Sequence, residues 1–234
     1  MKMISAILAV DVSSTILNVG IVCGDAVHEL YEHGVTDHSM RLLPAIEGVL
    51  SKASLSLADV SLIAIGSGPG SFTSLRVGFS MLKAMAYAKG IPIVAVPSLA
   101  VLVKNISDGG TYTTHAALID ARKNSVYASI YRDGVPVIEN KDIIAESLIE
   151  LLRNDASVFA VGDGALRYRE LFSKELPQMI IPEDNAMHCM RIAHIASYAV
   201  ERSSAGTADD VMNVLPIYAR PSEAEYNRAK GVIL

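Results

Sequence analysis

The strongest constraint on the fold is that the second half of the chain repeats the order of elements found in the first half. Ile7 to Asp11 is an apolar strand that ends in an acid, and Ala116 to Asp120 is its counterpart. In each half the pattern then predicts two more strands joined by tight turns, a helix, a strand that ends in glycine, and a second helix. Hairpin-linked strands pair antiparallel, and a strand that follows a helix returns parallel. The repeat therefore predicts a βββαβα unit used twice, which is a duplicated α/β fold with mixed sheets.

Two lobes follow from this repeat, and we expect them to span residues 1–108 and 109–234. The strands predicted after the first of each half are Leu17 to Cys23, Ala26 to Tyr31, Ser61 to Gly66, Ser125 to Tyr131, Val135 to Ile138 and Ser157 to Gly162. The predicted helices are Met40 to Lys52, Phe79 to Lys89, Asp142 to Arg153 and Met187 to Arg202, with a further amphipathic helix that begins at Arg167.

A glycine-rich segment, Gly66 to Gly78, connects a predicted strand to the helix Phe79 to Lys89. Glycines around Pro69 define a tight turn, and Ser71 begins a run of hydroxyl residues that can cap a helix. Such a turn aims backbone N–H groups at whatever lies in front of it. It matches neither the Walker loop nor the dinucleotide fingerprint, since it lacks a lysine and has Ser71 in place of the third glycine. A structural corner and a binding turn both stay open.

Composition narrows the function classes. The net charge is −5 and Lys and Arg are scattered, so we expect no basic face for autonomous tight binding to nucleic acid. No segment approaches the roughly 20 uncharged apolar residues of a membrane helix. Asp11 interrupts the apolar start that a signal peptide would need, so we expect none. Cys23 and Cys189 lack metal-ligand spacing, and we expect both to be buried free thiols in a reducing cytoplasm.

The duplicated pattern resembles the superfamily of actin, sugar kinases and heat-shock proteins (ASKHA), whose fold is ribonuclease H-like. The resemblance implies a cleft between the lobes in which Asp11 and Asp120 face nucleotide phosphate and metal. The turns after these acids, Val12 to Thr15 and Ala121 to Asn124, contain no glycine, so the implied cleft is degenerate. A structural role, in which both acids cap turns, stays open. The candidate residues of the cleft are Asp11, Gly68, Gly70, Ser71, Asp120, Gly162 and Gly164.

The glycine-rich segment makes the resemblance more specific. Gly68 to Gly78 is similar to the signature of the TsaB (YeaZ) family, bacterial proteins of tRNA threonylcarbamoyladenosine biosynthesis. Pro216 to Arg220 is similar to the C-terminal motif Pro-x-Tyr-Leu-Arg of that family, and the resemblance extends over almost the whole chain. Ser74 and Ala219 depart from the family pattern, which has glycine and leucine at these positions.

The resemblance implies a non-catalytic accessory subunit. Such a subunit pairs with the related enzyme TsaD and, with the ATPase TsaE, helps to transfer threonylcarbamoyl to adenosine 37 of tRNA. The expected partners are therefore a TsaD-like paralogue and a TsaE-like ATPase, with tRNA bound only within the complex and a homodimer as another assembly. We expect no cofactor in the isolated chain, with ATP or ADP bound only at the interface of the complex.

The catalytic paralogue holds its metal, by the same resemblance, with a close pair of histidines on a helix. This chain has no histidine between Gly78 and Tyr112, and His188 and His194 are six residues apart, a spacing that does not share one helix face. We therefore expect no metal site and no catalytic residue. The alternative is an ATP-dependent small-molecule kinase or ATPase of the same superfamily.

The two predicted helices of the first half carry more apolar surface than one sheet requires. The second helix is apolar nearly all round, with Arg76, Lys83 and Lys89 as its only charges. One face must cover the sheet, and an additional exposed apolar face is typical of a partner surface. The resemblance implies that both helices form a bundle with the same pair on TsaD or on a second copy. The predicted interface residues are Leu42, Leu43, Ile46, Leu50, Val77, Met81, Leu82, Ala84, Met85 and Ala88.

Overall fold

The computed structural model describes residues 5–106 and 111–221. The predicted lobe boundary, between residues 108 and 109, lies outside the described residues, as does the end of the chain, residues 222–234. Within the described ranges, the two halves of the sequence form two separate five-stranded sheets. The predicted duplicated α/β fold is therefore confirmed.

The first sheet is mixed. Its strands are β1 (Ile7–Asp11), β2 (Leu17–Cys23), β3 (Ala26–Glu32), β4 (Leu62–Gly66) and β5 (Ile93–Val96). They lie in the order β3-β2-β1-β4-β5, with β1 antiparallel to β2 and parallel to β4. All residues of β1 and β4 are buried, because helices cover both faces of the sheet. This burial explains why both strands are continuous apolar runs in the sequence.

The second sheet repeats this arrangement. Its strands are β6 (Thr114–Arg122), β7 (Ser125–Arg132), β8 (Val135–Ile144), β9 (Val158–Val161) and β10 (Met179–Ile180). They lie in the order β10-β9-β6-β7-β8, with β6 antiparallel to β7 and parallel to β9. The strand β6 therefore takes the central place that β1 takes in the first sheet. The sequence pattern did not predict β10, which has only two residues.

The helices separate into three layers. They are α1 (His38–Lys52), α2 (Phe72–Lys89), α3 (Ser98–Leu102), α4 (Ala145–Leu152), α5 (Asp163–Arg167), α6 (Arg169–Glu175) and α7 (Ile192–Ser204). The helices α1 and α2 pack on one face of the first sheet, and α4 and α6 pack on the outer face of the second. The helices α3 and α7 contribute to a core that includes residues of both sheets. The helix α7 packs on the first sheet, although it lies in the second half of the sequence.

The helix α2 begins seven residues before the predicted start. The hydroxyl of Ser71 accepts a hydrogen bond from the backbone N–H of Ser74 at 3.4 Å, so Ser71 is the N-cap and the helix begins at Phe72. This cap agrees with the expected role of the hydroxyl run. The helix passes through Gly78, which is buried against Val12.

Two other predicted helices start too early. Residues 142–144 belong to β8, where they pair with β7, so α4 begins at Ala145 and not at Asp142. The helix α7 begins at Ile192 and not at Met187, since residues 185–188 form a short 3₁₀ turn. The helix predicted to begin at Arg167 is divided, because α5 ends there and α6 begins two residues later.

The prediction that both cysteines are buried is confirmed for Cys189 only. Cys189 is buried, and burial raises the pKa of its thiol to about 11. Cys23 is exposed at the end of β2, so the prediction that it is buried is wrong. Among residues 5–106 and 111–221, no helix is both long enough and apolar enough to cross a membrane.

Candidate functional site

Asp11 ends β1 and is fully buried. Its Oδ1 accepts hydrogen bonds from the backbone N–H and the hydroxyl of Ser13, at 2.8 and 2.6 Å, and its Oδ2 accepts one from the hydroxyl of Ser98 at 2.5 Å. Burial raises the pKa of Asp11, and the hydrogen bonds from Ser13 and Ser98 act in the opposite direction. The carboxylate therefore joins the first turn to the start of α3. The expectation that it faces a cleft is wrong.

The glycine corner between β4 and α2 (residues 68–71) packs on the same turn. The hydroxyl of Ser98 accepts a hydrogen bond from the backbone N–H of Gly68 at 3.0 Å. A Cβ atom on Gly70 would lie 2.1 Å from the carbonyl oxygen of Ser13, so only glycine fits this close approach. These contacts support the structural-corner interpretation for Gly68 and Gly70 over the binding-turn interpretation.

A buried polar contact connects the starts of α1 and α2. The Nδ1 atom of His38 lies 3.1 Å from the hydroxyl of Ser74, which donates a hydrogen bond to the hydroxyl of Ser71 at 2.9 Å. Burial lowers the pKa of His38. Ser71 therefore acts as a helix cap within this network, and Ser74, a departure from the family pattern, contributes its central hydroxyl.

The C-terminal motif crosses from the first lobe to the second. The ring of Tyr218 lies 4.7 Å from the ring of Phe72, at the start of α2. Farther along, the Nε of Arg220 donates a hydrogen bond to the hydroxyl of Tyr127 on β7 at 3.0 Å. The C-terminal motif thus contacts the start of α2 in one lobe and the sheet of the other.

A cleft of about 720 Å³ lies between the two halves. Its lining residues from the first half are Thr15, Ile16, His33 and Gly34, and those from the second half are Asp120, Arg122, Lys123, Asn124, Asp163, Leu166, Arg167 and Tyr168. Of the seven candidate cleft residues from the sequence, Asp120 lines it. Sequence reasoning did not single out Thr15 or Asp163.

Asp163 connects the two lobes at the floor of this cleft. Its Oδ2 accepts hydrogen bonds from the backbone N–H and the hydroxyl of Thr15, at 3.1 and 3.0 Å. Its Oδ1 accepts one from the backbone N–H of Asp120 at 3.0 Å. Burial raises the pKa of Asp163, while these hydrogen bonds act in the opposite direction. One carboxylate is thus bound by the first turn, at Thr15, and by β6 of the second lobe, at Asp120.

Gly162 and Gly164, two of the candidate cleft residues from the sequence, position the carboxylate of Asp163, which lies between them in the sequence. Gly162 has φ +107°, and a Cβ there would lie 2.0 Å from the carbonyl oxygen of Leu118. A Cβ on Gly164 would lie 2.9 Å from the carbonyl carbon of Ile119. The backbone N–H of Gly162 also donates to the Nδ1 of His188 at 3.0 Å. Both glycines are therefore structural, since they let the corner before α5 pack directly on β6.

The rim of the cleft carries positive charge on an unusual turn. Arg122, Lys123 and Asn124 have φ values of 58, 51 and 59°, a left-handed run without glycine. Such a conformation costs about 1–2 kcal/mol for each residue with a Cβ. The Oδ1 of Asp120 stabilises the turn by accepting a hydrogen bond from the N–H of Arg122 at 2.8 Å. Arg167 adds a third exposed cation from α5.

The structure divides the ten predicted interface residues into three groups. The buried ones are Leu42, Ile46, Leu50 and Leu82. The half-buried ones are Val77, Met81 and Met85, and the exposed ones are Leu43, Ala84 and Ala88. The prediction for the four buried residues is wrong, because they form part of the core beneath the first sheet's helices and do not reach the surface.

The outer surfaces of α1 and α2 carry a set of exposed apolar and small residues that we call the helix-pair face. Its members are Met40, Leu43, Ser80, Ala84, Tyr87 and Ala88. The two helices contact each other and cover the same side of the sheet. Met40 and Tyr87 are 74% and 70% exposed, which is high for large apolar side chains, yet the sequence prediction omitted both.

Comparison with known proteins decides the family. A family model described as TsaD, tRNA N6-adenosine threonylcarbamoyltransferase, matches residues 26–225. The chain belongs to this family. Within the family, the chain is similar to TsaB of Bacillus subtilis, a tRNA threonylcarbamoyladenosine biosynthesis protein, with 29% identity over 94% of this chain and 96% of the relative. It is also similar to TsaB of Haemophilus influenzae, with 28% identity over 96% and 97%.

Solved structures agree with this assignment. YeaZ from Pseudomonas aeruginosa has a TM-score of 0.72 and 26% identity, over 92% of this chain and 99% of that chain. A Bacteroides thetaiotaomicron protein with an actin-like ATPase fold has a TM-score of 0.50 at 12% identity and supports the fold alone. The resemblance to the TsaB (YeaZ) family and the actin-like fold class are both confirmed.

Sequence reasoning missed Asp163 for an identifiable reason. It included Gly162 and Gly164 among the candidate cleft residues and did not consider the acid between them. A charged residue between two glycines, directly after a buried strand, was the available signal. Its partner Thr15 lies 148 residues away, so no local pattern connects the two.

Proposed function

We propose that this chain is a non-catalytic accessory subunit that binds and activates a TsaD-type threonylcarbamoyltransferase, for modification of adenosine 37 in tRNA. The observation that carries the proposal is the likeness to proteins named TsaB along nearly the full length of both chains. A match of this extent includes the helix pair, the cleft and the C-terminal motif together. It favours this function over the kinase alternative.

The side chains at the cleft support a non-catalytic role. Asp11 is buried and bound by Ser13 and Ser98, so it is not available to hold magnesium at a solvent-filled site. The carboxylate of Asp163 accepts hydrogen bonds from the backbone N–H groups of Thr15 and Asp120. Within the described ranges there is no group of three His, Cys, Asp or Glu residues placed to hold a metal ion. The chemistry would therefore belong to the partner.

The helix-pair face is the proposed docking surface for the TsaD-type partner. Small residues at positions 80, 84 and 88 follow one side of α2 and permit another helix to approach closely, while Met40 and Leu43 add adaptable apolar surface from α1. A second copy would use the same face, so the homodimer and the heterodimer would compete. A TsaE-like ATPase, ATP or ADP, and tRNA would join only the assembled complex, in the cytoplasm.

Ala84→Arg tests this docking surface. Ala84 is exposed near the middle of α2, so an arginine is tolerated in the free subunit but brings an unpaired charge into a packed helix interface. We expect the dissociation constant for the TsaD-type partner, measured by calorimetry, to rise at least about thirtyfold, which corresponds to about 2 kcal/mol. Circular dichroism should show an unchanged fold.

Ser147→Arg is the matched control. Ser147 is an exposed small residue on α4 of the second lobe, away from the helix-pair face. We expect this variant to bind the partner like the native chain. Equal affinity of Ala84→Arg and Ser147→Arg would contradict the proposed surface.

A further inference from the structure

The helix α2 carries three cations and no acid, and two of these cations have a role within the subunit. The cations are Arg76, Lys83 and Lys89. The Nζ of Lys83 donates hydrogen bonds to the carbonyl oxygens of Met212 and Val214, both at 3.0 Å, and so holds the C-terminal segment on α2. Lys89 lies in the last turn, where the helix dipole favours a positive charge. Arg76 lies near the opposite end of the helix, where the dipole gives no such stabilisation.

The charge of Arg76 is exposed, and the described part of the chain does not neutralise it. None of the ion pairs within residues 5–106 and 111–221 includes this side chain. Its guanidinium instead stacks on an aromatic ring, with Cζ 3.9 Å from the ring centroid of Phe72. The ring of Phe72 lies in turn 4.7 Å from the ring of Tyr218. Because the stack holds the guanidinium in place, little side-chain freedom is lost when its N–H groups bind an acceptor.

Arg76 continues the row of small residues on the helix-pair face by one turn. Residues 76, 80, 84 and 88 follow one another at intervals of four and are all exposed, so they lie along one side of α2. A helix that packs closely on the small residues therefore extends toward the guanidinium. The planar fork of N–H groups on an arginine matches the two oxygens of a carboxylate.

A second copy of this chain offers little acid to pair with Arg76. Glu47 is the one acid of α1 and α2, whereas the two helices together carry five cations, which are Arg41, Lys52, Arg76, Lys83 and Lys89. Two such helix pairs brought face to face place an excess of positive charge against an excess of positive charge, which lowers the affinity. The charges on this face therefore favour a different protein that presents carboxylates.

We propose that Arg76 is a specificity-determining residue of the docking surface, and that it pairs with a carboxylate of the TsaD-type partner. The proposal rests on the proposed function, since it names one contact of the helix-pair face with that partner. The ion pair adds to the affinity for the partner, while the excess positive charge of the two helices weakens self-association. Charge thereby selects the heterodimer over the homodimer.

Arg76→Gln and Arg76→Glu test the proposal. We expect the dissociation constant for the TsaD-type partner, measured by calorimetry, to rise about tenfold for Arg76→Gln and about a hundredfold for Arg76→Glu. Circular dichroism should show an unchanged fold, because the side chain is exposed. A rise in salt from about 50 to about 500 mM should weaken the native complex more than the Arg76→Gln complex. A purely structural role of the stack would not produce this difference in salt dependence.

Lys104→Glu is the matched control. Lys104 is also an exposed cation over an aromatic ring, with its Nζ 5.9 Å from the ring centroid of Tyr198. Tyr198 packs on the core that α3 and α7 form on the other face of the first sheet, away from the helix-pair face. We expect Lys104→Glu to bind the partner like the native chain. Weakening equal to that of Arg76→Glu would show an effect of net charge and contradict the proposal.

Ala84→Arg separates a failure of this contact from a failure of the docking surface. Weaker binding by Ala84→Arg with unchanged binding by Arg76→Glu would support the surface and overturn the ion pair. Unchanged binding by both variants would contradict the surface and the ion pair together. Analytical ultracentrifugation of the isolated chain tests the second copy. Loss of self-association in Arg76→Glu, with unchanged affinity for the partner, would assign the cation to a homodimer and overturn the proposal.

Discussion

Asp11 ends β1 and Asp120 lies two residues before the end of β6, at positions that the internal repeat makes equivalent, but their surroundings differ. Asp11 is fully buried and bound by Ser13 and Ser98. Asp120 lines the cleft, and its carboxylate accepts a hydrogen bond from the backbone N–H of Arg122 in its own turn. The difference arises from what packs on each turn. In the first lobe the glycine corner covers the acid, whereas in the second lobe the corresponding corner contributes an acid of its own.

The largest expected effect concerns two glycines in equivalent places, Gly66 at the end of β4 and Gly162 directly after β9. A Cβ on Gly66 would lie 1.8 Å from the Oδ2 of Asp11, so Gly66→Ala should lower the free energy of unfolding by about 3 kcal/mol. Because the clash is with a side chain, Asp11→Ala should relieve part of it. We expect a coupling energy of about 1–2 kcal/mol in a double-mutant cycle followed by urea unfolding.

The same cycle in the second lobe is the control. Gly162 has φ +107°, a conformation that residues with a Cβ rarely adopt, and a Cβ there would lie 2.0 Å from the backbone carbonyl oxygen of Leu118. Gly162→Ala should therefore lower the free energy of unfolding by at least as much as Gly66→Ala. Asp120→Ala cannot relieve a backbone clash, and the coupling energy should be near zero. Similar coupling in both lobes would contradict the contrast between the two acids.

The second largest expected effect is the difference in lost stability between Asp11→Ala and Asp120→Ala. Asp11→Ala leaves the backbone and hydroxyl of Ser13 and the hydroxyl of Ser98 without their acceptor in a buried place, which should cost about 2–3 kcal/mol of stability. Asp120→Ala removes one hydrogen bond at a partly exposed turn and should cost about 0.5 kcal/mol. Urea unfolding of both variants measures the difference, and equal losses would show that the two sites are equivalent after all.

These contrasts indicate how far the sequence alone could reach. The alternation of strands, the repeat and the hydroxyl run at Ser71 are local features, so the sequence predicts the two sheets and the capping role of Ser71, although it places the start of α2 seven residues too late. The burial of Asp11 depends on Ser98, which lies 87 residues away. The lobe contact of Asp163 depends on Thr15, 148 residues away. Contacts of this range carry no periodic signal.

The interface prediction was wrong at its four buried residues because their burial also depends on tertiary packing. Leu42 and Leu82 lie on the same helices as Leu43 and Ala84, and all four fit an apolar stripe at helical spacing. Which residues face the sheet depends on the rotation of each helix on the sheet. That rotation is set by packing against residues such as Ile63 and Val19, which an apolar stripe does not specify.

The smallest effect concerns pH and the corner that holds Asp163. Burial lowers the pKa of His188 below its usual 6.5, so the folded state favours the neutral ring. The neutral His188 ring contributes its full stabilisation of the folded state above pH 6.5. This contribution is lost as the pH falls through the lowered pKa of His188. Asp11 and Asp163 have raised pKa values and act in the opposite direction.

The His188 contribution is therefore measured as a difference. The gap in unfolding free energy between the native chain and His188→Asn should be larger at pH 7.5 than at pH 5.5. A gap that is constant across this range would contradict the role of the neutral ring beneath Gly162.

Reconstitution of the modification reaction tests the central claim most directly. The reaction contains the matching TsaD and TsaE proteins, the threonylcarbamoyl-adenylate synthase, threonine, bicarbonate, ATP and unmodified tRNA, with this chain present or absent. We expect modified adenosine only when the chain is present, with activity retained by Ser147→Arg and lost with Ala84→Arg. Equal product with and without the chain would contradict the accessory role.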